Sequence, residues 1–252
     1  MAGVSRLQYS NEIRLVRVMC TGRVDLAFIL RSFQNRMDGV YIAGCRLDEC
    51  KYITNGNYHA LNMVLLGKKI MEHIGLNPER LRIEFMSSAE GSRFAETVND
   101  FIKRVRTIGP FGKGEGLDES GLTSKLNEIG KLIPYVKIAT RDKLSSRLKE
   151  PEEWSKLFTR EEIEKLFREL PSYYIDPEKC QACMTCAKRC PVDAILSGKN
   201  LIHIIDQEKC IKCGTCFEVC PTKFGAVTKI SGEPVPPPIP EEKRTIVRKK
   251  KE

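Results

Sequence analysis

Histidine, tryptophan and long apolar runs are what this sequence has least of. Only three His and one Trp occur in 252 residues. His59, His73 and His203 are scattered, and none stands near an evident nucleophile or carboxylate, so a structural role is the simpler reading for each. No run of about eighteen apolar residues exists, which excludes a hydrophobic membrane-spanning helix. Residues 1–10 contain no apolar h-region, so export is not expected and a cytoplasmic location is. Apolar residues at 41% and charged residues at 30% form an ordinary globular balance, which excludes a wholly disordered or collagen-like chain. Cysteine, finally, is absent between positions 50 and 180, and that gap divides the eleven cysteines into two groups.

Eleven cysteines without a signal peptide argue against a disulfide framework, because a reducing compartment keeps such thiols free. Metal ligation remains. Eight of them lie from Cys180 to Cys220 in a repeat with a period of thirty residues: Ile175-Asp176-Pro177-Glu178-Lys179-Cys180 returns as Ile205-Asp206-Gln207-Glu208-Lys209-Cys210. Each half then reads Cys-x2-Cys-x2-Cys-x3-Cys-Pro, first through Cys180, Cys183, Cys186 and Cys190, then through Cys210, Cys213, Cys216 and Cys220. Three thiols two residues apart let a short loop wrap three corners of a 4Fe-4S cubane, while the cysteine before proline reaches the other cluster. The expected wiring is therefore crossed: Cys180, Cys183, Cys186 and Cys220 for one cluster, and Cys210, Cys213, Cys216 and Cys190 for the other. Zinc is the alternative, but zinc sites use paired Cys-x2-Cys motifs rather than a repeated triplet followed by Cys-Pro. The stretch resembles the bacterial two-cluster ferredoxin domain over about residues 171–230. At about sixty residues its apolar core alone is marginal, so the clusters are expected to hold the unit together.

The N-terminal part alternates strand and helix patterns. Residues 12–20 read as a buried strand and residues 24–37 as a helix; residues 39–45 read as a second strand, followed by an amphipathic helix over 58–74 that Gly75 stops. Residues 80–86 and 92–108 form a third such unit, ended by Gly109-Pro110. Three consecutive strand-helix units imply a Rossmann-like or flavodoxin-like parallel sheet covered by helices. Cys20 and Cys45 then end strands one and two, on the rim where ligands of parallel sheets collect, with Cys50 in the following loop. The competing reading is that Cys20 and Cys45 are small packed residues of the sheet.

These residues also carry a family resemblance. Ala2-Gly3-Val4-Ser5-Arg6-Leu7-Gln8-Tyr9, Arg17-Val18-Met19-Cys20-Thr21-Gly22-Arg23-Val24, Ala43-Gly44-Cys45, Asp48-Glu49-Cys50-Lys51-Tyr52, Gly56-Asn57-Tyr58-His59 and Ser88-Ala89-Glu90-Gly91 follow one another as in the delta subunit of methyl-viologen-reducing hydrogenase, over about residues 1–115. The resemblance implies a 2Fe-2S cluster on Cys20, Cys45 and Cys50. It further implies a non-catalytic subunit that passes electrons between a hydrogenase, formate dehydrogenase or other redox partner and the flavin subunit of a heterodisulfide reductase, in complexes that perform electron bifurcation in anaerobes. Family members carry a further strand and a Cys-x2-Cys-type segment ahead of the stretch matched here. Three of the family's cysteines remain, so the fourth ligand comes from elsewhere, or the cluster is absent, or the chain starts upstream of Met1; the last is the expectation. Arg6, Arg23 and Ser5 are candidates to donate to cluster sulfurs, with solvated surface charge as the alternative.

The expected organisation is α/β: a delta-subunit-like domain over 1–112, a helical connector over 113–170, a small α+β ferredoxin-like domain over 171–230 and a Pro-rich basic tail over 231–252. The glycine-rich residues 109–116 follow a helix and lack the Gly-Lys-Ser/Thr ending of a phosphate loop, so they read as linker. Helices are expected over 119–135 and 151–170, with Thr159-Arg160-Glu161-Glu162 as a capping box. The tail runs through an extended proline stretch to Lys243, Arg244, Arg248, Lys249, Lys250 and Lys251, without the aromatic interleaving of a nucleic-acid binder. The formal charge is +9, and two oxidised cysteine-ligated cubanes at about −2 each bring it to about +5. An iron-sulfur electron carrier is the leading reading. A scaffold whose ferredoxin module alone carries electrons is the alternative.

Overall fold

Parallel pairing needs a crossover, and the crossover here is a long buried helix. A computed structural model of the chain describes residues 6–52 and 55–245. It forms two units, one of residues 1–133 and 139–164, the other of 134–138 and 165–252. In the first, α1 (Leu26–Gln34) starts at Asp25, whose carboxylate accepts from the Ala27 amide, and buries Leu26, Ile29, Leu30 and Phe33. Strand β1 (Val40–Gly44) leads to α2 (Asn57–Ile74), which ends where Gly75 turns to φ 88°. Strand β2 (Leu81–Phe85) pairs with β1 in parallel, Val40 opposite Leu81 through Gly44 opposite Phe85. Helix α3 (Gly91–Ile108) returns, with Val98 and Phe101 on its buried face.

Residues 12–20 do not form the expected first strand. They form no strand pairing among the described residues, and Leu15, Val16 and Met19 are 70%, 84% and 90% exposed. Adjacent apolar residues on both faces give such a segment no single side to bury, and without a partner its backbone gains nothing from extension. The parallel sheet of the described residues thus has two strands.

Beyond the linker, α4 (Glu119–Ala139) contains Pro134, and the two units divide there. The short α5 (Arg141–Leu144) is followed by α6 (Pro151–Leu157) and α7 (Arg160–Arg168), so the helix expected over 151–170 breaks at Phe158-Thr159. Thr159 caps α7 by accepting from the Glu162 amide, but Glu162 pairs with Lys143 rather than closing the box.

The second unit repeats a strand-loop-helix-strand motif. Strand β3 (Pro171–Ile175), α8 (Thr185–Arg189) and β4 (Ile195–Gly198) make one half; β5 (Leu201–Ile205), α9 (Thr215–Glu218) and β6 (Val227–Ser231) make the other. β3 pairs with β6 and β4 with β5, both antiparallel, so the outer strands close around the inner hairpin. The repeat recurs in the hydrogen bonds: the Asp176 amide donates to Ala226 O at 2.7 Å and the Asp206 amide to Ala194 O at 2.8 Å. Arg244 is not part of a solvated basic end. It is 7% exposed, donates to Ile202 O and Leu196 O, and receives the Ile202 amide on its own carbonyl, which lays residues 244–245 along β5. Residues 1–5 and 246–252, including Ser5, Arg248, Lys249, Lys250 and Lys251, lie outside the described residues.

One buried ion pair closes the first unit. Arg80 is fully buried and grips Glu115 in a two-bond pair through its Nε–Nη2 edge at 2.6 and 2.9 Å, while donating to Asp38 O and Pro110 O. Burial pushes the Glu115 carboxyl up, but Arg80 and the Asn77 amide outweigh it and hold the group below its ordinary value. Removing the carboxylate strands a buried cation, so Glu115→Ala is expected to lower stability by about 3–5 kcal/mol, read from urea unfolding followed by circular dichroism. Because the folded-state pKa lies below the unfolded one, the native pair stabilises above the ordinary glutamate range and its contribution is lost as pH falls through it. Glu115→Ala is expected to lack that acid-side loss.

Candidate metal centres

Three thiols converge at the carboxyl ends of the parallel strands. Cys20 starts a tight turn at Thr21–Arg23, its sulfur accepting from the Gly22 amide at 3.4 Å. Cys45 follows β1, and Cys50 lies against the start of α2. The amides of Tyr52 and Asn57 and the thiols of Cys45 and Cys20 lie near enough to the Cys50 sulfur to influence its proton. Burial pushes the Cys50 thiol up, but these donors outweigh it and bring it down, as expected for a sulfur at the N-terminus of an eighteen-residue helix. Cys45 goes the other way, raised by burial first and then by its neighbours Cys50 and Cys20. The packed-residue reading of Cys20 and Cys45 does not describe this arrangement: the three sulfurs share the wall of a cleft of about 680 Å³, together with Leu15, Met19, Met86 and Phe94.

The loops that present these thiols are pinned by residues that sequence reasoning alone does not mark as site residues. Asn57, 2% exposed, donates its amide to Cys45 O at 3.1 Å and Arg46 O at 2.6 Å and lies 3.7 Å from the Cys45 sulfur. Asp48 accepts from Tyr58 and pairs with Arg147, whose guanidinium covers the Tyr58 ring. Arg46 grips Glu90 in two bonds, and the Ser87 amide adds a third, so the Glu90 carboxyl is held down at about 2, chiefly by Arg46. Glycine is required at 56: a Cβ there would fall 2.4 Å from the Cys50 sulfur and 2.2 Å from Tyr52 O. Asn57 and Glu90 stand inside the delta-subunit motifs, which is the one signal the sequence offers for them. Arg6 and Arg23 are exposed, and among the described residues neither lines the cleft nor hydrogen-bonds a cysteine sulfur.

In the second unit Cys180, Cys186 and Cys216 are part of one small core, and Cys190, Cys210 and Cys220 pack against it. Burial pushes Cys186 up to about 11, with Cys180 and Cys183 adding to it. Cys216 is pushed to about 12 by burial, then by Cys210, Cys213 and Cys186. Cys210 is raised by burial and feels both Cys213 and Cys190, the last from the other half of the repeat. Two sulfurs accept backbone amides, Cys190 from Ala194 N at 3.3 Å and Cys210 from Lys212 N at 3.4 Å, while the Cys183 thiol donates to the Thr185 hydroxyl at 3.4 Å and Cys213 and the Thr215 hydroxyl share a hydrogen bond at 3.3 Å. His203 lies 3.3 Å from Cys186, and burial, aided by Arg244, lowers its pKa. Positive φ at Ala182, Met184, Lys212 and Gly214 marks the same curl in both loops. Among the described residues no three His, Cys, Asp or Glu side chains close on one point as a single metal ion requires. The donor set, all sulfur with backbone N–H groups aimed at two of its members, fits iron-sulfur clusters.

Residues 1–109 match the family model "Methyl-viologen-reducing hydrogenase, delta subunit". Over 110 residues, 44% of this chain and 81% of the relative, the sequence is 42% identical to the vhu iron-sulfur subunit of the F420-non-reducing hydrogenase of Methanococcus maripaludis. The chain belongs to the delta-subunit family. A second relative, the iron-sulfur subunit of the F420-non-reducing hydrogenase of Archaeoglobus profundus, is 42% identical over 44% of this chain and 80% of its own length. One polypeptide of the Ferredoxin/F(420)H(2)-dependent CoB-CoM heterodisulfide reductase of Methanosarcina acetivorans is 45% identical over 112 residues, but the chain spans only 14% of that protein. Residues 173–196 and 203–224 match a 4Fe-4S binding domain, one match per half of the repeat, so this delta-subunit family member also carries a cubane-binding module.

The glycine at 56 gives a direct check on the three-thiol arrangement. Oxidation of the iron-free chain with an added thiol oxidant is expected to join two of Cys20, Cys45 and Cys50, mapped by peptide mass spectrometry. Gly56→Ala, which drives a Cβ into the Cys50 sulfur, is expected to cut that yield several-fold.

Proposed function

We propose that this chain is an iron-sulfur electron-transfer subunit that relays electrons between a hydrogenase or dehydrogenase partner and the flavin subunit of a heterodisulfide reductase-type, electron-bifurcating complex. The observation that carries the reading is the pairing of two kinds of sulfur site in one chain: two four-thiol sets in the ferredoxin-like unit and three convergent thiols in the delta-subunit unit. Cys180, Cys183, Cys186 and Cys220 would hold one 4Fe-4S cluster, and Cys210, Cys213, Cys216 and Cys190 the other; the proximity of Cys190 to Cys210 supports the crossing. Cys20, Cys45 and Cys50 would supply three ligands of a 2Fe-2S cluster, the fourth coming from outside the three. Such clusters supply one-electron transfer.

The chain's residues do the rest. Cys180, Cys186 and Cys216 are buried and insulate their sites, whereas Cys183 and Cys45 are exposed and offer each unit an opening to a partner. The Ala194 and Lys212 amides hold Cys190 and Cys210 by donation, and the Thr185 and Thr215 hydroxyls hydrogen-bond Cys183 and Cys213. We read the first unit as a Rossmann-like or flavodoxin-like fold of which β1, β2 and their helices form part, over about residues 1–112, with 113–170 as connector and 171–230 as the ferredoxin-like domain. The scaffold alternative, in which only the ferredoxin-like module carries electrons, is favoured by one observation: three thiols rather than four converge in the first unit.

Anaerobic iron and sulfide analysis with EPR separates the two. A relay through both units is expected to hold about ten iron atoms with a distinct 2Fe-2S signal, and a scaffold about eight. In the relay, Cys45→Ser is expected to remove about two irons and leave both cubane signals, whereas an unchanged count overturns the 2Fe-2S assignment.

A further inference from the structure

The thirty-residue repeat aligns position 173 with position 203, and the two residues differ in a way that matters to sulfur. Tyr173 stands on β3 in the field of Cys216, Cys213 and Cys210, with burial as the main cause of a pKa pushed up to about 12, so its hydroxyl stays neutral. His203 stands at the equivalent place on β5, and its Nδ1 lies 3.3 Å from the Cys186 sulfur. One ring therefore faces each thiol set. Among the described residues no hydrogen bond joins the Tyr173 hydroxyl to a cysteine, so only the histidine engages sulfur directly.

The other ring nitrogen decides the direction of that bond. His203 is 1% exposed, and its Nε2 has no hydrogen-bond partner among the described residues. A protonated ring carries an N–H on Nδ1 in any case, and a neutral imidazole carries one N–H. On Nε2 that proton would be an orphaned buried donor, and Nδ1 would face the sulfur lone pair to lone pair. On Nδ1 it is satisfied by the sulfur, and the ring leaves only a bare acceptor unpaired.

We infer that His203 donates its Nδ1–H to Cys186 and thereby sets the two cubane sites apart, making the cluster on Cys180, Cys183, Cys186 and Cys220 easier to reduce than an aromatic ring without the donor would. This rests on the reading that those thiols hold a 4Fe-4S cluster. Reduction by the redox partner adds one electron and no proton, and the added charge spreads onto the sulfurs. A donor aimed at a sulfur stabilises that reduced state more than the oxidised one. His203 thus acts through Cys186, as a positioning residue.

The test is an EPR-monitored redox titration of the full chain carrying its clusters. His203→Phe is expected to lower one potential, by about tenfold in the reduction equilibrium or about 59 mV for one electron, and to leave the other within about twofold. His203→Asn, whose side-chain amide can present an N–H where Nδ1 stands, is expected to recover most of the shift, and Tyr173→Phe to move neither potential. Both potentials unmoved or moved equally by His203→Phe, or an Asn variant no different from Phe, overturns the inference. Should His203→Phe take up less iron, the unaltered protein decides. With 15N-labelled histidine, pulsed EPR is expected to detect a histidine nitrogen coupled to one reduced cluster, and its absence overturns the assignment. An unaltered chain with no cubane iron overturns the cluster reading itself, and this inference with it.

Discussion

Thiols that must lose their protons are costly to bury, and the second unit is organised by that constraint. Cys186 and Cys216 stand in a core whose apolar remainder is a few isoleucines, a valine, an alanine and Tyr173. Without metal, burial and neighbouring sulfurs push those two thiols up to about 11 and about 12. Iron ligation requires the thiolate, so metal binding and proton loss are one linked event, and its free energy becomes folding free energy. A unit of this size has too little apolar surface to fold comfortably on that alone. The crossing amides of Asp176 and Asp206, which tie each half's loop to the other half, suit a core in which the ligands are the main cross-links.

The first unit presents its thiols by a different device. Its thiols lie at the rim of a sheet rather than in a core, and backbone amides meet the sulfurs directly. Cys50 rests against the start of α2, where the nearby Tyr52 and Asn57 amides lower its pKa and Gly56 makes room for the approach. The helix is long, with Leu61, Met63, Leu66 and Ile70 fully or almost fully buried, so its N-terminus is a rigid platform. Asn57 sits one residue inside that platform and holds the Cys45 loop by two carbonyls. A single helix start thus fixes two of the three sulfurs.

What could be read from the residues alone was what depends on short range. The cubane motif is legible because a Cys-x2-Cys-x2-Cys loop carries its own geometry, and α2 and α3 are legible because their apolar stripes repeat at helical spacing. Residues 12–20 were not legible as they stand, since a strand exists only by pairing, and pairing is a property of the neighbour. Arg244 read as one of a basic run, yet its guanidinium is satisfied by Leu196 and Ile202 carbonyls some forty residues away, a distance no local pattern encodes. His203 read as a scattered histidine for the same reason: its partner, Cys186, lies in the other half of the repeat. The convergence of Cys20, Cys45 and Cys50 was visible only as placement at strand ends, and Arg6 and Arg23, offered as donors from motif membership, turn out to face solvent.

Duplication explains both the order of the second unit and its departures from order. A repeated half supplies two nearly equivalent sites, which suits an electron path because neighbouring sites of similar character pass charge without a large step. Equivalence also removes any preference for where the electron rests. The halves differ in side chains near the sulfur sites: Met184 against Gly214 at the loop curl, Tyr173 against His203 on the strands, and exposed Cys183 against half-buried Cys213. Backbone donors are dictated by the fold and are hard to change one half at a time. Side chains are free to diverge, so the fold keeps the clusters in place while the side chains differentiate them.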